Sequence, residues 1–560
     1  MRSAARRISA ACVAGALAIT LAACAESQRD SGAEQGGADA AGGTMVFGAA
    51  GAPRSFDPLF AQDGETFRVS RQMYDTLITY EQGTSELTPG LATEWTPNAD
   101  GTEWTFTLRD GVKFHDGTDF NAEAVCFNFN RWFNLPTAAA QSQAIYYYEL
   151  FGGYSNNLTD DTADPVYNSC QAPNPTTAVV KLNRAKGAFP AAFGLTSLSI
   201  SSPAALQQYN GDEVTQSGES FTYSSYAMEH PTGTGPFRFE SYDRTNQTIT
   251  LVRNDQYWGE PAKLERLIFR VIPDENARKQ ELQAGTIDGF DYPSAADWPS
   301  LEEAGNQVLI RPVFNILYLG INQKNNPALK DVRVRQAIAY ALDREAMVRN
   351  LLPEGAVVAT QFIPDTVTGY NPDIQAIPYD PERARALLAE AGASNLTLNF
   401  YYPTEVSRPY MPNPTNIFTA LAENLRQVGI TVNPVARPWN GGYLDDVQVN
   451  GVHDLHLLGW TGDYNDAGNF VEGFFGSPGP EFGLTLPTDA PMIDSIATAD
   501  ATVGDEAHAA AYREANRIIM EQLPGVPLSS SPPAIVVRQG VSGLIPSPLT
   551  DERFLTVSVD

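Results

Sequence analysis

Histidines and cysteines are the side chains best suited to metal or nucleophilic chemistry, and this 560-residue chain has five and four of them. His453 and His456 are three apart around Asp454. On a helix that spacing would let both rings share a metal ion. The run Gly451-Val452-His453-Asp454-Leu455-His456-Leu457-Leu458-Gly459 alternates like a strand instead, which predicts rings on opposite faces and no metal site. His115 falls in the turn Phe114-His115-Asp116-Gly117 and is expected to be solvated. Gly233-Thr234-Gly235-Pro236-Phe237 lacks the third glycine of a dinucleotide loop, and Pro236 argues against a phosphate-cradling helix start, so it reads as a structural turn. The sequence contains no GxxxxGK[ST], HExxH or GxSxG pattern. With 66 Asp and Glu, paired carboxylates occur everywhere and carry no signal. The reading is a protein with no cofactor and no catalytic centre.

The cysteines separate by position. Arg2, Arg6 and Arg7 precede an apolar run over residues 8–21, too short to span a bilayer and suited to a signal peptide. Leu21-Ala22-Ala23-Cys24 closes it and resembles a bacterial lipobox, implying cleavage after residue 23 and acylation of Cys24; the alternative is an ordinary cleavage site after Ala22 or Ala23. Residues 24–43 are rich in Gly, Ala and Ser and read as a flexible tether with a reach of roughly 25 Å. Cys12 leaves with the signal. Cys126 and Cys170 remain, read as one disulfide or as two separate buried thiols. A formal charge of −29 excludes nucleic acid and adhesion to anionic lipid by charge, so contact with a membrane is expected only through the acyl anchor. Hydrophobic residues at 43 % suffice for a large core.

The elements that must position any site are of mixed α/β type. Trp104-Thr105-Phe106-Thr107-Leu108 alternates as a half-buried strand, with residues 91–95 as its partner across the turn Asn98-Ala99-Asp100-Gly101. Residues 248–252, 267–272 and 430–432 also read as strands. Asp331, Asp380 and Asn413 are placed as helix N-caps, two of them followed by Pro381 and Pro414. Val334, Ile338, Ala341 and Leu342 mark the buried face of the first helix, Leu387, Leu388 and Ala391 that of the second, and Phe418, Leu421, Leu425 and Val428 that of the third. Gly392 and Gly429 stop the last two.

Residues 74–131, YDTLITYEQGTSELTPGLATEWTPNADGTEWTFTLRDGVKFHDGTDFNAEAVCFNFNR, resemble the signature of peptide-type solute-binding proteins of bacterial ABC importers. The likeness continues through GTGPFRFESY (233–242), RNDQYWG (253–259), LQAGTIDGF (282–290) and DVRVRQAIAYALDRE (331–345). It implies an α/β fold of two lobes joined by a hinge. Lobe I would be discontinuous and carry an extra subdomain, taking residues 44–314 and the return 526–560. Lobe II would take 315–525. Ser407-Arg408-Pro409-Tyr410-Met411-Pro412-Asn413-Pro414 resembles the segment whose arginine pairs with a dipeptide's carboxylate, and Gly459-Trp460-Thr461-Gly462-Asp463-Tyr464-Asn465-Asp466 the one whose aspartate takes its ammonium. The resemblance thus implies Arg408 and Asp463 as charge anchors; Trp439, Trp460 and Tyr464 lie near the proposed anchor and are expected to line the pocket. It also implies a monomer that hands short peptides to membrane permease subunits on the extracytoplasmic side. Two rivals stand beside this reading. The same fold could serve an oligosaccharide, a metal chelate or haem, or the chain could be an exported hydrolase or signalling lipoprotein.

Overall fold

The computed structural model describes residues 43–160, 163–218, 220–478 and 482–560. The expected signal peptide, most of the tether and Cys24 lie outside the described residues. No described helix is long and apolar enough to cross a membrane.

Two sheets organise the body. The first has seven strands in the order Phe237–Asp243, Thr248–Arg253, Arg266–Val271, Thr44–Ala49, Gly289–Asp291, Ala534–Val537 and Gln307–Ile310. The second has six: Val357–Val358, Gly525–Ser530, Asn315–Ile321, Leu455–Thr461, Thr397–Thr404 and Thr431–Pro438. Strand Ala534–Val537 comes from beyond the second sheet, yet it pairs between Gly289–Asp291 and Gln307–Ile310, so the first lobe is discontinuous. A further four-stranded sheet, Ala92–Pro97, Glu103–Leu108, Thr177–Leu182 and Tyr167–Asn174, forms the extra subdomain. There Trp104, Phe106 and Leu108 face inward. Cys126 on helix Ala122–Phe133 is bonded to Cys170 on the strand Tyr167–Asn174.

Local chemistry builds the second lobe. Helix Val332–Ala341 is capped by Asp331, Pro381–Glu390 by Asp380 and Pro414–Gln427 by Asn413; each cap side chain accepts an N–H of the first turn. Their apolar faces, including Val334, Ile338, Leu387, Leu388, Leu421 and Leu425, cover the strands around Leu317, Leu319 and Leu457.

The chain crosses between lobes twice. Residues 311–314 lead from the first sheet to the second, and residues 531–533 lead back. Val526, near which the return was expected, lies inside the strand Gly525–Ser530 of the second sheet. The crossings are tied to each other. Arg311 N–H donates to Pro533 O at 2.8 Å. Asn315 Nδ2 donates to Ser531 O at 2.7 Å, and Ser531 N–H donates back to Asn315 Oδ1 at 3.1 Å.

Arg311, 1 % exposed, also anchors the first crossing to its lobe through ion pairs with Asp291 and Glu552, each at 2.7 Å. Burial alone would raise the Asp291 carboxyl; Arg311 and Arg68 beside it hold it below the usual carboxylate range instead. Removing one partner of such a buried pair costs about 3–5 kcal/mol. Arg311→Met should therefore lower the unfolding free energy extracted from urea titration by that order, with a lower midpoint, and an unchanged midpoint would show the network to be dispensable.

Candidate ligand-binding site

Strand direction decides where a site can form. Leu455–Thr461 and Thr431–Pro438 both run parallel to Thr397–Thr404, so the three carboxyl ends emerge at one edge of the second sheet. The Arg408 segment, Trp439 and the Trp460–Asp463 segment all lie at or just beyond those ends. Asn315–Ile321 and Gly525–Ser530 bring both crossings to the same edge. In the first lobe Thr44–Ala49 is parallel to Arg266–Val271 and Gly289–Asp291, and the carboxyl ends of all three lead to cavity-lining residues such as Gly51, Pro273 and Tyr292. Ligands of open α/β sheets bind outside such ends. Here a cavity of about 1000 Å³ lies between the two lobes and is lined from both, with Pro532 and Pro533 of the second crossing in its wall.

Asp463 lies in this cavity wall. Asn469, on the helix Gly468–Phe475, fixes it from behind: Oδ1 of Asn469 accepts the Asp463 N–H at 2.8 Å and the Trp460 Nε1–H at 3.2 Å, and Nδ2 donates to Asp463 Oδ2 at 3.4 Å. From the other lobe the Tyr146 hydroxyl donates to Asp463 Oδ1 at 3.0 Å. The side chain faces the cavity and is otherwise enclosed. Burial pushes its carboxyl up to about 6, against the opposing pull of the Tyr146 and Asn469 hydrogen bonds. The glycines of this segment serve close packing: a Cβ at Gly459 would strike the Tyr410 ring and Ile316 O, and one at Gly462 would strike Phe314 and Phe470. Asp463 does not cap the helix Gly468–Phe475; Asp466 Oδ1 accepts the Gly468 N–H at 2.7 Å.

Arg408 is held in a tight turn. Its N–H donates to Met411 O at 3.1 Å and Met411 N–H returns to Arg408 O at 2.9 Å, while Tyr410 and Met411 are buried in the lobe core. The guanidinium lies over the Trp439 ring at 4.3 Å. Among the described residues it has no carboxylate partner, and its Nε is buried without a hydrogen bond. Arg71 and Arg278, also in the cavity wall, are engaged elsewhere: Arg71 pairs with Asp551 at 3.2 Å, and Arg278 donates to Ile272 O at 2.7 Å and Pro273 O at 2.9 Å. The second-lobe wall of the cavity thus holds the Arg408 cation, the enclosed Asp463 carboxylate and the exposed Glu405.

A family model described as "Bacterial extracellular solute-binding proteins, family 5 Middle" matches residues 86–482. The chain belongs to this family. The dipeptide-binding protein of Escherichia coli is 31 % identical over 527 residues, covering 92 % of this chain and 95 % of that protein. The heme-binding protein A of Haemophilus influenzae is 30 % identical over 567 residues, covering 99 % and 100 %. A dipeptide binding protein from Pseudoalteromonas sp. SM9913, solved with Met-Leu, superimposes with a TM-score of 0.74 at 25 % identity, covering 92 % of this chain and all of that one. This family 5 protein is therefore a solute-binding component of an ABC importer with the two-lobed periplasmic-binding fold, not an enzyme.

Within the family 5 frame, Asp463, Arg408, Trp439 and Trp460 all line the cavity. Tyr464 does not. Both residues lie in the bend beyond the strand Leu455–Thr461, and the Tyr464 ring packs into the core near Glu472, Asp466 and Asp500. Two histidine expectations are corrected. His453 precedes the strand instead of lying in it, so the period-two rule fails there and the His453 and His456 rings meet edge to face at 4.6 Å, both fully buried. Burial holds both neutral, at about 4 for His453 and well below the usual range for His456. No group of three or more metal-ligating side chains occurs among the described residues. His115 is half-buried, not solvated: its N–H donates to Gly233 O and its Nε2–H to Gly235 O, both at 2.9 Å, which ties the GTG turn in place. Burial lowers this ring to about 4. Sequence reasoning missed Tyr146 and Asn469; Tyr146 lies 317 residues from Asp463, and no local pattern reports that contact.

Titration of Asp463, followed by its carboxyl carbon resonance in protein free of added solute, should show a midpoint near 6. Tyr146→Phe removes a hydrogen bond to the ionised form and should move the midpoint higher; a midpoint at the ordinary carboxylate value in both proteins would contradict the burial described.

Proposed function

We propose that this family 5 protein is anchored by acylated Cys24 outside the cytoplasmic membrane, captures short peptides between its lobes and delivers them to a membrane permease. Asp463 takes the peptide ammonium and Arg408 its carboxylate, with Trp439 and Trp460 beside the backbone. The observation that carries the reading is the pair of unmatched opposite charges on one cavity wall. A zwitterion entering a closed, low-dielectric space needs a partner at each end, because an unpaired buried charge costs several kcal/mol. The planar fork of Arg408, pre-set on Trp439, suits a carboxylate, and Asp463 suits an ammonium. The dipeptide-binding relatives support this cargo. A cavity of about 1000 Å³ leaves room for variable side chains and water, which favours low sequence selectivity.

The heme-binding relative raises haem as a second cargo. The described lining residues offer its iron tyrosines but no histidine, cysteine or methionine, and the Asp463 and Arg408 charges on one wall favour the peptide.

Native mass spectrometry of solute carried through purification should release short peptides, and a tetrapyrrole in their place would overturn the reading. In calorimetry, Asp463→Ala should weaken an unmodified dipeptide at least about a hundredfold while changing its N-acetylated form little; equal losses would reject the anchor. The pH dependence comes from the raised carboxyl. Binding an ammonium needs Asp463 ionised and the peptide amine protonated, so affinity should be flat between about pH 6 and 8, fall about tenfold per unit below that window, and fall again above it as the peptide amine loses its proton. N-acetylated ligand should lack both falls. Replacing Cys24 by Ala should move the protein from the membrane fraction to the soluble one.

A further inference from the structure

The lobes also touch away from the cavity, through groups that the cargo reading leaves without a role. Residues 183–188, between the strand Thr177–Leu182 of the extra subdomain and helix Phe189–Ala192, reach into the second lobe. Lys186 is 6 % exposed. Its Nζ lies 3.1 Å from Glu472 Oε2 on the helix Gly468–Phe475 and 2.6 Å from Asp500 Oδ1 on the helix Ala490–Ala501. Next to it, Gly187 N–H donates to Asp500 O at 2.6 Å. A Cβ at Gly187 would collide with His508 Nδ1 and Thr502 O, so only glycine fits against this face. Gly101 and Ala185 of the first lobe close over Val503 of the second.

We propose that Lys186 and Gly187 form a clasp between the lobes whose strength sets how much of the closed form exists before any cargo enters. Opening the cleft strips the buried ammonium from both carboxylates and leaves Glu472 and Asp500 facing each other. That juxtaposition is unfavourable: burial and the neighbouring Glu472 push Asp500 up to about 7 even with Lys186 in place. Across the interface, burial together with Asp463 and Glu472 pushes the Glu149 carboxyl of the first-lobe helix Ile145–Phe151 up to about 8, so it adds no charge near neutral pH, while the neighbouring Asp466 is occupied by His508 at 2.5 Å. Lys186 thus offsets Glu472 and Asp500 only when the lobes meet. Apparent affinity scales with the fraction of protein already competent to hold the ligand. The clasp would therefore act on every cargo alike, unlike Asp463, which distinguishes ligands by their amine. The inference stands whether or not the cargo is a peptide.

The test uses small-angle X-ray scattering of the mature chain, stripped of solute by partial denaturation and dialysis, with near-ultraviolet circular dichroism as a check on folding. Lys186→Met should lower the closed-to-open ratio about ten- to hundredfold and enlarge the radius of gyration. Gly187→Ala should do the same without altering charge, because the nearest atoms its methyl would meet all belong to the second lobe. Lys186→Arg should restore most of the closed population. If wild type, Lys186→Met and Gly187→Ala give superimposable scattering, the clasp does not exist.

Discussion

A carboxylate enclosed between two protein lobes must be matched by something, and Asp463 is the point where that constraint is met. Water cannot freely solvate it, so its proton affinity rises. The protein supplies Tyr146 from one lobe and Asn469 from the other as partial compensation. Neither is a cation. The side chain therefore retains the capacity to take one, and the proposed selectivity for an ammonium rests on that deficit. Arg408 is the complementary case, a cation whose only close companion among the described residues is the face of Trp439.

The fold brings these two deficits together through strand direction. Arg408 and Asp463 come after adjacent parallel strands, so both emerge at one edge although the chain between them makes a helix and another strand first. The crossings between lobes leave from that same edge, where the Asn315–Ser531 pair keeps them in register. A rotation about residues 311–314 and 531–533 then moves the first-lobe wall, including Tyr146, relative to Asp463. Binding chemistry and lobe closure are thereby coupled by geometry, the arrangement of hinge-closing receptors generally.

The features legible in the sequence were local. Asp331, Asp380 and Asn413 announced their helices because a cap bonds within its own first turn, and Trp104, Phe106 and Leu108 announced a strand because period two is a property of neighbours. Asp463 and Arg408 were reached through family likeness, not through spacing, and Trp439 and Trp460 through their nearness to those anchors. Tyr464 was placed by adjacency too, and its ring packs into the core instead. The His453 and His456 rings met because the strand begins at Leu455, four residues after the start of the alternating run at Gly451. Tyr146 and Lys186 act on residues about three hundred positions away, which no window on the sequence contains.

A crystal structure of the protein with an unmodified dipeptide in the cleft tests the central claim most directly. The account predicts the ammonium nitrogen within about 3 Å of an Asp463 carboxylate oxygen and the terminal carboxylate on the Arg408 guanidinium. A dipeptide seated with its amine on other groups, and Asp463 still bonded only to Tyr146 and Asn469, would contradict it.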